Sequence, residues 1–141
     1  MLDTKLFLQA QATCIDAVYA ELGAGKKMSH WMWFVFPQLA ALGRSQMAVR
    51  YGLADLADAQ AYLAHPLLRE RLMRCTQLVT SHPGKSAHEI MGSPDELKLR
   101  SCMTLFALAD PHEPLFKATL DQLYAGQPCG LTLQALNATW L

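Results

Sequence analysis

The sequence predicts an all-α fold, a single compact multihelical domain. Three observations carry this. Apolar residues recur at helical spacing in several segments. Two segments open on residues suited to start a helix. No stretch shows the strict alternation of a half-buried strand. The pattern implies about six to nine helices and no sheet of three or more strands.

Phe7, Cys14, Val18 and Leu22 share one helical stripe, with Ala10 and Ile15 beside it, so one long helix is expected over residues 3–22. Asp3 or Thr4 can cap its start, and Gly23 ends it. A loop follows over residues 23–27. Ser29 opens a segment over residues 30–42 whose centre, residues 31–36, is apolar on every side. Pro37 lacks the amide a central strand needs, so the segment reads as a helix broken near Pro37 and ended by Gly43.

Short helices are expected over residues 45–52 and 55–64. His65-Pro66 starts another, because proline suits the first helical position. Leu68, Leu72, Cys75 and Val79 mark its buried stripe, and Arg69, Arg71 and Arg74 read as a solvated face. Residues 81–84 form a turn, and residues 86–91 a single helical turn. In Ser93-Pro94-Asp95-Glu96, Ser93 can cap, Pro94 takes the first position and Glu96 can close a capping box. That helix should reach about Ala109. Asp110-Pro111-His112-Glu113 repeats the logic and opens a helix ending at Tyr124, before Gly126. A short helix over residues 131–137 completes the chain. With no repeat, low-complexity tract or linker, residues 1–141 read as one domain.

Composition narrows the function classes. The chain is 52% hydrophobic and 17% charged, which suits a globular domain and not a disordered one. Lys plus Arg and Asp plus Glu balance at 12 each, so no nucleic acid or anionic membrane partner is expected. Cys14, Cys75 and Cys102 fall in apolar stripes and read as reduced core thiols; Cys129 lies apart, and no C-x-x-C pair occurs. Residues 1–5 lack a basic and apolar leader, and the longest apolar run is far short of the roughly 20 residues that span a bilayer. A cytoplasmic protein is the expectation. No motif specifies an oligomeric state.

Standard sites are missing as sequence signals. There is no G-x-x-x-x-G-K-[ST] loop, no H-E-x-x-H helix and no G-x-S-x-G elbow, so no metal, cofactor or nucleophile is implied. Two segments remain. In Ser29 to Gln38, Trp31 and Trp33 stand beside His30 and Gln38. Aromatic faces hold planar ligands, while His and Gln offer directional hydrogen bonds. The alternative is that both tryptophans are core and His30 only caps the turn. In the helix after Ser93, Asp95, Lys98 and Ser101 recur every third residue and share a face. Lys98 lies between Leu97 and Leu99, where a partly buried amine could hold an anion. The alternative is a lysine reaching to solvent along its own stem.

The same segments carry a resemblance. Residues 29–38, Leu42-Gly43-Arg44-Ser45, Tyr62-Leu63-Ala64-His65-Pro66 with Arg71-Leu72 and Cys75, and Asp95 through Lys98 to Ser101-Cys102-Met103-Thr104-Leu105-Phe106 resemble the bacterial family called domain of unknown function 1810. The resemblance covers nearly the whole chain and implies a single-domain multihelical fold, with no assigned activity. Cys102 stands where similar sequences more often have serine. Members are sometimes labelled calpastatin, but calpastatin is a long disordered inhibitor and this chain is short and apolar, so the label does not apply.

A fainter similarity runs to small helical domains that process ADP-ribose or riboflavin intermediates, through Gln9-Ala10-Gln11, His65-Pro66-Leu67-Leu68 and Arg71-Leu72. Their Trp-Gly signature is absent here. With the family motif, the expected ligand site comprises His30, Trp31, Trp33, Gln38, Lys98 and Ser101. Lys98 would hold a phosphate or carboxylate, Trp33 would stack, and His30 could serve as acid or base. The occupant would be a small anionic, nucleotide-like (ADP-ribose-like) ligand. The alternative reading is an interaction module without chemistry.

Overall fold

A computed structural model describes residues 1–140. Among these the chain forms ten α-helices and one 3-10 turn, and no strand beyond a single bridge. The fold is all-α as expected, with more helices than the sequence pattern implied.

The expected first helix is two: α1 (Thr4–Ala12) and α2 (Ile15–Gly23). The Thr13 hydroxyl donates back to the Ala10 carbonyl at 3.0 Å, a local bond that competes with the helical ladder. The break lets α1 pack on the segment after Trp31 while α2 packs on the long sixth helix. Asp3 caps α1 by accepting from the Leu6 amide at 3.3 Å.

The tryptophan segment is shorter in helix than expected. Only α3 (Met32–Val35) forms, and Phe36 leaves helical geometry at φ −121°, ψ 71°. Pro37 is the cause, since its ring disfavours helical backbone in the residue before it. The chain then extends. Leu53 donates to the Gln38 carbonyl and Ala40 to the Leu53 carbonyl, both at 2.9 Å, before a 3-10 turn at Ala40–Leu42.

Next come α4 (Gln46–Arg50), α5 (Leu56–Ala64) and α6 (Pro66–Thr80), capped by Ser45, Asp55 and the His65 imidazole. Arg69 and Arg71 of α6 are partly buried and less solvated than their spacing implied, while Arg74 is exposed as expected. Arg69 pairs with Asp110 and Glu113, Arg71 donates to Gln11, and Arg74 lies 4.0 Å from the Tyr19 ring centroid.

The capping box lies elsewhere than expected. It closes on α7 (Ala87–Met91), where Ser86 accepts from the Glu89 amide and the Glu89 side chain accepts from the Ser86 amide. Helix α8 (Asp95–Ala109) has Pro94 at its cap and no side-chain cap bond, so Ser93 does not cap it. Likewise Asp110 ends α8, and Glu113 caps α9 (Pro114–Tyr124). The chain closes with α10 (Gly130–Leu136).

Helix α8 is the centre of the fold. Every residue from Ser101 to Ala107 is buried, so this stretch is enclosed on all sides. Helices α5, α7, α9 and α10 pack against it. A chain of aromatic rings runs through the core from Phe34 through Tyr51, Phe7, Tyr62 and Phe106 to Phe116, with successive centroids 5.2 to 5.8 Å apart. Gln11 is buried among them. Its amide donates to the Phe34 carbonyl at 2.7 Å and the Tyr62 hydroxyl at 3.0 Å, tying α1 to α3 and α5. No described helix is long and apolar enough to cross a membrane.

Candidate functional site

Polar residues in apolar segments need partners, and tracing those partners builds the site. The Glu21 carboxylate accepts from the Met28 amide at 2.7 Å, the Ser29 amide at 2.9 Å, the Ser29 hydroxyl at 2.6 Å and the Trp31 indole at 3.1 Å. Partial burial pushes this carboxyl up, but the four donors outweigh it and bring it down to about 2. One side chain of α2 therefore holds the entry to the tryptophan segment.

Trp31 is core, only 1% exposed, and its indole contacts the buried Phe36. It offers no stacking face to a ligand. Lys27 lies beside it, with Nζ 4.9 Å from the indole centroid and 2.9 Å from the Asp95 carboxylate. That Lys27–Asp95 pair ties the loop after α2 to the first turn of α8.

On the other side of Asp95 stands Lys98, whose ammonium is 3.8 Å from that carboxylate and 5.6 Å from the ring centroid of Trp33. Trp33 is half-buried and presents a face. Because Lys27 makes the shorter contact with Asp95, two cations share one anion, and positive charge is left at Lys98. The Lys98 side chain is 27% exposed.

Two depressions meet here. A pit between α3 and α4 is lined by Trp33, Phe36, Gln38, Tyr51, Gly52 and Lys98, and its volume of about 10 Å³ suits one water. A shallower groove of about 180 Å³ is lined by Gln38, Leu42, Leu97, Lys98, Ser101 and Leu131. Gln38 and Lys98 belong to both. Four of the six residues expected from sequence, Trp33, Gln38, Lys98 and Ser101, thus line one continuous surface. The other two do not: Trp31 is enclosed, and His30 is exposed and lines neither depression. Helical periodicity brought Lys98 and Ser101 to one face, while the turn after Trp31 separated His30 from it.

The sequence profile of the family described as "Protein of unknown function (DUF1810)" matches residues 1–136. The chain belongs to the DUF1810 family. This DUF1810 chain is also similar to a solved structure, that of the conserved hypothetical protein Rv1873 from Mycobacterium tuberculosis. The two share 51% identity over 96% of each chain, with a TM-score of 0.93. No curated protein matches the sequence.

Sequence reasoning missed two residues that hold the segments of this candidate site in place, Glu21 and Lys27. Each looks like an ordinary solvated charge in its own segment. Only the approach of α2 to the Ser29–Trp31 turn, and of the following loop to α8, gives them their partners.

Proposed function

We propose that the surface shared by Gln38 and Lys98 binds a small anionic ligand with a planar or apolar portion, as one end of a nucleotide-like molecule has. The supporting observation is the Lys98 ammonium held at the face of Trp33 while Lys27 engages the nearest acid. Lys98 supplies charge to a phosphate or carboxylate, and the Gln38 amide and Ser101 hydroxyl supply hydrogen bonds. The groove of about 180 Å³ is below the roughly 300 Å³ at which drug-sized pockets begin, so an ADP-ribose-sized molecule would seat one end and extend over Leu97 and Leu131. The role proposed here is binding.

Thermal shift with ADP-ribose, AMP and inorganic phosphate tests this reading. A bound probe at about 100 times its Kd adds about 2.7 kcal/mol of stability. Lys98→Met should keep the unbound melting temperature and lose the shift. A shift retained by Lys98→Met, or none from any anionic probe, would sink the proposal.

A second reading, a protein-interaction surface, draws on Leu97 and Leu131, which are 56% and 64% exposed at the rim of the same groove. Sedimentation of the wild type against Leu131→Glu tests it. Concentration-dependent association that the charge abolishes supports it, and a monomer at all concentrations removes it for self-association.

A further inference from the structure

Among the described residues, Lys98 is the single charged side chain that lines either depression. Its charge reaches a ligand only if Asp95, three residues before it on the same face of α8, does not neutralise it first. Lys27 is the rival for that carboxylate. The Lys27 amide donates to the Ile90 carbonyl at 2.7 Å, which fixes the loop after α2 against α7. Its ammonium donates to the Ser29 carbonyl and lies 2.9 Å from Asp95 Oδ2, with the Trp31 ring centroid 4.9 Å away.

The two lysines differ in what they lose without Asp95. The Lys27 side chain is 7% exposed and that of Lys98 is 27% exposed. An enclosed ammonium is costly to leave without a counter-ion, whereas Lys98 can fall back on water. Attraction also strengthens as distance shortens and water is excluded. Both effects hold Asp95 to Lys27. Lys98 keeps only a long contact of 3.8 Å on the other oxygen, Oδ1, and stands 5.6 Å from the Trp33 centroid. The row Lys27, Asp95, Lys98 therefore carries one net positive charge, and that charge sits at the end facing the groove.

We propose that Lys27 and Asp95 set the anion affinity of the groove without touching the ligand. Asp95 is a built-in competitor for Lys98, and Lys27 keeps it occupied. This inference rests on the ligand reading above and adds that the affinity is tuned from the loop after α2. Neither residue lines the groove, so both are positioning residues that act through Lys98. With Lys27 neutral, the Asp95 carboxylate closes on Lys98, and an incoming phosphate or carboxylate has to displace it. With Asp95 neutral as well, Lys98 has no rival anion.

Calorimetric titration with ADP-ribose, AMP and inorganic phosphate at low ionic strength tests this, using the probe that binds the wild type most tightly. Lys27→Met should weaken that probe by about fivefold or more, the lower end of the coupling between linked sites. The double variant Lys27→Met/Asp95→Asn should recover the wild-type affinity or exceed it, because the competing acid is gone. A merely structural role for Lys27 gives no such rescue. A double variant that binds no better than Lys27→Met, or a Lys27→Met affinity within about twofold of the wild type, would overturn the inference and leave the ligand reading standing. No binding of any probe to the wild type would sink the ligand reading and this inference with it. If Lys27→Met fails to fold, the double variant, which leaves no buried charge alone, decides: an affinity below that of the wild type overturns the inference.

Discussion

The indole N–H of Trp31 and the amides of Met28 and Ser29 all donate to one oxygen of Glu21, at 3.1, 2.7 and 2.9 Å. A single carboxylate thus replaces the backbone partners that the turn before α3 lacks. The Ser29 hydroxyl occupies its other oxygen.

Glu21→Gln should therefore destabilise the protein by about 1–2 kcal/mol at neutral pH, once solvent screening of a partly exposed group is allowed for. The folded carboxyl is held at about 2 against an ordinary 4.5, so its contribution is complete above about pH 4.5 and falls away as pH drops toward 2. Urea unfolding of wild type and variant at neutral pH and near pH 2.5 measures this. A gap that does not narrow in acid would show that the ionised carboxylate is not what holds the turn.

Gly52 is fixed by space. A Cβ there would collide with the Ala40 Cα and lie 2.7 Å from the Ala48 carbonyl oxygen, both backbone atoms with little room to yield. Gly52→Ala should cost about 1–3 kcal/mol, as overpacking does, and distort the pit that Gly52 lines. At Gly84 a Cβ meets nothing within 4 Å, so Gly84→Ala should stay within about 0.5 kcal/mol. Equal melting temperatures for the two variants would contradict the close approach of the chain at residues 40 and 52.

The capping box makes a paired prediction. Ser86→Ala should cost about 1 kcal/mol by freeing the Glu89 amide, which the Ser86 hydroxyl holds at 3.1 Å. Ser93→Ala should cost less than about 0.5 kcal/mol, because α8 starts on Pro94 without a side-chain cap. Chemical denaturation of both variants decides, and the reverse order would restore the cap at Ser93.

Caps show how far local sequence reaches. Ser45, Asp55 and His65 cap the helices they precede, since a cap needs only a side chain and an amide a few residues away. Ser93 has the same local credentials and fails: α8 starts after Pro94, and the amides of Glu96 and Leu97 go to the Gly92 and Pro94 carbonyls instead. The site divides in the same way. Asp95, Lys98 and Ser101 share a face by helical period alone, whereas nothing in residues 30–33 says which tryptophan turns inward.

By itself the sequence determined the all-α class, most helix starts, the break at Pro37 and the family, because periodicity, capping and proline geometry act over a few residues. Only the tertiary structure decided that Trp31 is core and that Trp33 is half-buried beneath Lys98. It also gave Glu21 and Lys27 their partners, and set Cys129 against Ser101. Each of those relations joins segments far apart in the chain. Their partners are chosen by which helices the buried α8 draws together, and residue spacing does not encode that choice.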